Sequence, residues 1–220
     1  MDLQSYSAIV EELKPYGAQL VAVSKTKPVE DIMALYEAGQ RVFGENRVQE
    51  LVPKYEALPK DIKWHLIGHL QTNKVKYIAP FVSMVQSVDS LKLLTEIDRC
   101  AEKNSRTIDC LLQVYIANED TKFGLDAEEL YALLDSAEYA TLKNVRVCGL
   151  MGMATNTDNE TQIATEFASL HRLFTEVKQR YFANAPYFKE ISMGMSSDYK
   201  IALTEGATLI RIGSLLFGVR

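Results

Sequence analysis

The sequence is short of the features that mark several protein classes. Among its 220 residues are three cysteines, Cys100, Cys110 and Cys148. The number is odd and no two are spaced C-x-x-C, so a disulfide framework is excluded and the reduced thiols of a cytoplasmic protein are expected. Basic residues are outnumbered, 24 against 29 acidic, for a net charge of −5. Binders of nucleic-acid phosphates or anionic membranes carry the opposite excess, so neither partner is expected, while a local pocket for one small anion stays compatible. No apolar run nears the roughly 18 residues of a membrane helix. The longest, Val147–Ala154, is interrupted by Gly149 and Gly152. The opening residues, Met1–Ser5, lack a basic segment followed by an apolar one, so no signal peptide is expected. There is no Walker loop and no G-x-G-x-x-G. His65 and His69 are four apart without a glutamate between them, so the zinc-protease pattern is absent too.

What is present is an ordinary soluble composition, 47% hydrophobic and 24% charged, which excludes a disordered chain, a collagen and a coiled coil. The length predicts one large domain or two small ones. A single domain of this size buries roughly 70% of its unfolded surface and needs no disulfide or metal staple. Leu3, Tyr6, Val10 and Leu13 recur at helical spacing before Pro15 and Gly17, which predicts a first helix. Strand-like runs follow at Leu20–Val23, Arg41–Phe43, Lys63–Ile67, Phe81–Gln86, Asp109–Ile116, Val145–Met151, Lys189–Ser192 and Thr208–Ile212, with helical patterns between them. The clearest helix carries Ile163, Phe167, Leu170, Phe174, Val177 and Tyr181 on one face. Thr157 with Glu160, and Asp126 with Glu129, read as capping boxes. Pro28 suits a first helical residue, and Pro53 should kink or restart its helix. Eight strands, each but the last followed by a helix, imply a parallel sheet. Eight units in this length suit a single (β/α)8 TIM barrel, with an open doubly wound sheet as the alternative.

In a barrel, the polar or Gly-containing segments after the strands converge on the C-terminal rim, where active sites sit. Strand alternation places Val21, Val23 and Lys25 on one face. Partial burial at a strand end disfavours an ammonium, and a neutral amine attacks aldehydes to give Schiff bases. The alternative is a solvated loop lysine, the better reading for Lys122 in its polar loop; Lys27 and Lys122 invite the Schiff-base reading with less reason than Lys25. Gly194-Met195-Ser196-Ser197 is expected to open a helix running to Gly206, and Arg211-Ile212-Gly213-Ser214 follows the last predicted strand. Each reads as a cap or as an anion site, and together they hold the positions after strands seven and eight where barrels bind phosphate. His65 is expected in or beside a strand and His171 near the surface of the long helix. The cluster Met151, Met153, Met193 and Met195 reads either as barrel packing or as an apolar wall beside a flat ligand.

Five segments occur in register: Ala22-Val23-Ser24-Lys25-Thr26-Lys27-Pro28, Phe43-Gly44-Glu45-Asn46 with Gln49-Glu50, Trp64-His65-Leu66-Ile67-Gly68-His69-Leu70-Gln71 with Asn73-Lys74, Ser192-Met193-Gly194-Met195-Ser196 with Asp198, and Arg211-Ile212-Gly213 with Phe217-Gly218. The set resembles the pyridoxal phosphate homeostasis proteins, the YggS/PROSC family, from about residue 20 to the C-terminus. The resemblance implies that residues 1–220 form a single barrel domain like the N-terminal domain of alanine racemase, holding pyridoxal 5′-phosphate (PLP). It implies Lys25 as the Schiff-base lysine. Ser196, Gly213 and Ser214 would hold the phosphate with backbone help from Met195. Arg211 would face the pyridine nitrogen, Asn46 would lie beside the ring, and Met193 would pack near it. A second family lysine falls on Lys122, where Phe123 departs from the small polar residue expected.

PLP catalysis needs an electron sink and placed bases. Arg211 cannot give the ring nitrogen a proton cheaply, and Lys25 supplies a base for one face only. The sequence ends at Arg220, so the second domain of alanine racemases is expected to be absent. The expectation is therefore a monomeric carrier of PLP without classical PLP-enzyme activity, serving PLP homeostasis, with apo PLP-dependent enzymes as recipients. The alternatives are a slow PLP-dependent amino-acid racemase and a Schiff-base barrel aldolase or isomerase acting on a phosphosugar.

Overall fold

Val- and Leu-rich runs too short for helices pair edge to edge in chain order until the last meets the first. In the computed structural model, which describes residues 1–117 and 124–218, the eight parallel strands close a barrel in the order β1 to β8. The strands are β1 Gln19–Val23, β2 Val42–Glu45, β3 Lys63–Leu66, β4 Met84–Val88, β5 Ile108–Gln113, β6 Val145–Met151, β7 Glu190–Ser192 and β8 Leu209–Ile212. Around them lie α1 Leu3–Leu13, α2 Val29–Glu37, α3 Val48–Ala57, α4 Val75–Ile78, α5 Leu91–Lys103, α6 Ala127–Leu134, α7 Glu160–Tyr181, α8 Tyr199–Thr204 and α9 Ser214–Phe217. The open doubly wound alternative is removed by the pairing of β1 with β8. Lys122 lies outside the described residues.

Several local expectations need correction. The cap of α7 is Asn159, whose side chain accepts from the Gln162 N–H, while Thr157 Oγ1 accepts from the Asn159 N–H one turn earlier. The Asp126–Glu129 capping box on α6 is present as expected. α3 runs unbroken through Pro53, which sits on the helix's exposed side, where water can serve the Gln49 carbonyl that has lost its donor. β4 begins at Met84, since Phe81 instead stacks on Tyr55 with ring centroids 3.8 Å apart. β8 is followed by a short helix, α9, where the sequence predicts none after the last strand.

Strand alternation sorts the side chains into two shells. Leu20, Ala22, Phe43, Trp64 and Leu66 face outward into the core under the helices. Val21, Val42, Met84, Leu111, Cys148, Met151 and Leu209 form a separate cluster within the barrel. The three thiols are buried and free, and burial pushes Cys148 up to about 12, which makes it inert. Among the described residues no helix is long and apolar enough to cross a membrane, and no cluster of His, Cys, Asp or Glu could hold a metal ion.

On the same inner face of the strands as that apolar cluster runs a buried polar chain. Arg211 Nη1 donates to Ser192 Oγ (2.5 Å), Ser192 Oγ donates to Gln86 Oε1 (2.6 Å), and Gln86 Nε2 meets His65 Nδ1 (2.9 Å). Because a guanidinium only donates, the direction propagates: the Ser192 proton points to Gln86, and the Gln86 amide hydrogen points to His65. His65 Nδ1 is therefore the acceptor of a neutral ring, and burial lowers its pKa from 6.5 to about 4.

That shift makes stability depend on pH. The unfolded chain takes up a proton near pH 6.5 that the folded chain refuses until about pH 4, so acidification through this window favours unfolding. The loss attributable to His65 is roughly 3 kcal/mol and is complete below the window. Denaturant midpoints measured from pH 7 to pH 4 are expected to fall more steeply for the native chain than for His65→Asn. Parallel curves would contradict the assignment.

Candidate functional site

β1 lies between β8 and β2, with Val21 opposite Arg211 and Val23 opposite Gly44. The inward series of each strand therefore ends on a neighbouring rim residue: Lys25 after Val23, Asn46 after Gly44 and Gly213 after Arg211. They surround a cavity of about 380 Å³ at the C-terminal end of the strands. Lys25, Asn46, Met195, Ser196, Arg211, Gly213 and Ser214, all named from the sequence, line it. Gly68 allows the Asn46 backbone to approach closely, since a Cβ there would lie 2.4 Å from the Asn46 carbonyl oxygen.

Arg211 forms the floor. It is 4% exposed, and its Nη2 donates to the Gly152 carbonyl (3.0 Å) while Nη1 holds Ser192. Burial lowers its pKa to about 10, with the Asp198 carboxylate pulling the other way, so it stays cationic at neutral pH. Asp198 is itself pushed above the usual carboxylate range by burial, against the Met195 N–H that it accepts.

The loops after β7 and β8 make the polar side. α8 begins at Tyr199, and a turn occupies 196–198 ahead of it. The Asp198 side chain accepts the Met195 N–H (2.6 Å), and Tyr199 N–H donates to the Met195 carbonyl (2.9 Å). Backbone help from Met195 is thus corrected: its N–H is already engaged, and it offers the cavity an exposed side chain. At α9, Leu216 and Phe217 N–H donate to the Gly213 carbonyl, while those of Ser214 and Leu215 have no acceptor within the helix. Two unspent donors at a helix start, beside the Ser196 hydroxyl, suit an anion. Ser196 Oγ accepts the Gly213 N–H at 3.4 Å, a long and weak bond that a ligand could displace.

Met193 does not reach the cavity. It follows inward-facing Ser192, so alternation turns it outward, and it is fully buried in the core under the helices. The apolar wall comes from Met153 with Val23, Ile67 and Met195, and Ser197 completes the lining. The parity of His65 could have found Ile67, and Met153 stood in the methionine cluster. The remaining candidates face elsewhere. His69 pairs with Asp89 (3.3 Å), and exposed His171 meets the Glu205 carbonyl (2.7 Å). Lys27 donates to the Phe217 and Gly218 carbonyls (2.9 and 3.3 Å) and so ties the β1 loop to the end of α9.

Some known proteins of this shape share more than the shape. A family model described as the alanine racemase N-terminal domain matches residues 4–220. The pyridoxal phosphate homeostasis protein of Aquifex aeolicus is 44% identical, over 92% of this chain and 87% of that one. Its namesake from Synechocystis is 41% identical, over 98% and 97%. The structure of PipY of Synechococcus elongatus with PLP bound superposes with a TM-score of 0.86 at 37% identity, over 98% of this chain and 99% of that one. Alanine racemase of Clostridium difficile shares the fold alone, with a TM-score of 0.71 at 14% identity over 99% of this chain and 56% of the racemase. By coverage and identity together, the chain belongs to the family of pyridoxal phosphate homeostasis proteins, built on the barrel of the alanine racemase N-terminal domain.

Proposed function

We propose that the protein binds PLP reversibly as a Schiff base on Lys25 and serves intracellular PLP homeostasis. The observation that carries the reading is convergence. A lysine amine, Ser214 at the start of α9, whose N–H has no acceptor within the helix, and a buried guanidinium open onto one cavity within the 300–1,000 Å³ range of small-ligand sites. When bound, PLP supplies an aldehyde carbon that accepts an amine and a ring that draws electrons. Lys25 Nζ would form the C=N bond and release one water. Ser196, Gly213 and Ser214 would hold the phosphate, Arg211 would donate to the ring nitrogen, and Asn46 would sit beside the ring. Met153, with Val23, Ile67 and Met195, would supply the apolar wall.

A carrier reading is favoured over a racemase by what the cavity offers a reaction. A guanidinium donor leaves the ring nitrogen without a proton, which weakens the electron sink. Racemisation needs a proton-transfer group on each face of the substrate carbon. Among the described lining residues there is Lys25 but no histidine, tyrosine or carboxylate. Met153 and Met195, each 38% exposed, stand where a ligand would enter and leave. A monomeric state and transfer to apo PLP-dependent enzymes belong to the same proposal.

Titration with PLP is expected to produce a visible absorption band that Lys25→Ala lacks. Ser196→Ala and Ser214→Ala should each weaken binding by roughly 1.5–3 kcal/mol, the worth of a hydrogen bond to a charged group. A colourless native protein that turns over a sugar phosphate would favour the aldolase or isomerase reading. Formation of D-amino acids that is lost in Lys25→Ala would favour the racemase.

A further inference from the structure

The lysine at the cavity sits on an unusual turn. Lys27 N–H donates to the Ser24 carbonyl (3.0 Å), which closes a four-residue turn with Lys25 and Thr26 at its centre. Thr26 has φ +62. That left-handed conformation is natural for glycine and strained for a β-branched residue, so the surroundings must enforce it.

Three ionisable side chains behind β1, on the face away from the cavity, do so. Glu50 on α3 accepts the Thr26 N–H through Oε2 at 2.7 Å. Glu45, fully buried at the end of β2, accepts the Ser24 hydroxyl through Oε1 at 2.7 Å. Lys54, one turn after Glu50, donates to the same Glu45 oxygen (2.6 Å) and to the Ser24 carbonyl (2.8 Å), and lies 3.8 Å from Glu50 Oε2. Both residues flanking Lys25 are thus gripped from outside the barrel, and the lysine side chain is directed inward. Burying an ion pair costs solvation that apolar residues would not, so a pair placed here is better explained by the geometry it fixes than by net stability.

We propose that Glu50 is a positioning residue for Lys25, assisted by the buried Glu45–Lys54 pair. It holds Thr26 left-handed so that Nζ meets the ligand aldehyde in bonding geometry. The inference rests on the reading that Lys25 is the amine that captures PLP. In the step it governs, amine and aldehyde would give C=N and one water, the amine's two protons leaving with the aldehyde oxygen in that water.

The test is the rate at which the visible band forms after mixing protein with PLP. It is followed in each case by borohydride reduction and peptide mapping. Glu50→Ala is expected to slow the step about tenfold or more, as misplaced reacting groups do. Glu50→Gln keeps an acceptor for the Thr26 N–H and should slow it less. The deciding variant is Thr26→Gly in the Glu50→Ala background, because glycine adopts φ +62 without a clamp and should restore most of the rate. A role in stability alone predicts no such rescue. An unchanged rate in Glu50→Ala, or no rescue by Thr26→Gly, overturns the inference while adducts on Lys25 keep the PLP reading intact. A native adduct mapped elsewhere overturns both.

Discussion

The register of β1 on β8 is the constraint on which the site depends. With Val21 opposite Arg211, the inward positions of the two strands climb the barrel side by side and end at Lys25 and at the Gly213–Ser214 turn. Register on β2 adds Asn46. A one-residue slip would turn Lys25 outward and Ser24 inward, because side chains alternate with period two. Closure of the barrel forbids that slip, since every strand is pinned by two neighbours and a β1 shift would carry through all eight. Convergence of an amine, an anion-ready helix start and a guanidinium is therefore a product of sheet geometry.

Burying a guanidinium in a barrel sets the second constraint. Arg211 has to spend its donors, and it does so on the Gly152 carbonyl and on Ser192, which hands polarity through Gln86 to His65. The result is a hydrogen-bonded chain with one donor-to-acceptor direction, which places the cation beneath the cavity. On the opposite side of β1, Glu45, Lys54 and Glu50 do for the lysine turn what the inner chain does for the arginine. Polar networks thus lie on both sides of β1, the strand that leads into the Lys25 turn.

Much of this was legible in the sequence because it rests on period and spacing. Eight apolar runs separated by helical patterns located all eight strands, and the inward parity of Lys25 followed from Val21 and Val23. Met193 was misplaced because the family pattern names a residue without its direction. Counting one step from Ser192 would have turned it outward. The Met195 amide was expected to be free, but Asp198 lies three residues on and takes it, a side-chain choice that no periodicity encodes. The chain from Arg211 to His65 joins residues up to 146 apart in sequence and depends on which strands meet. Glu50 and Lys54 are spaced i, i+4, and that spacing does not encode the seating of their helix behind the lysine turn.

The central claim is that one cavity holds PLP by three groups at once: Lys25, the start of α9 with Ser196, and Arg211. A crystal structure of the protein soaked with PLP tests it most directly. The account predicts continuous density from Lys25 Nζ to the ligand, the phosphate on the N–H groups of Ser214 and Leu215, and the ring nitrogen within hydrogen-bond distance of the Arg211 guanidinium. Density joined to Lys27 or Lys122, or a phosphate seated away from α9, would contradict it.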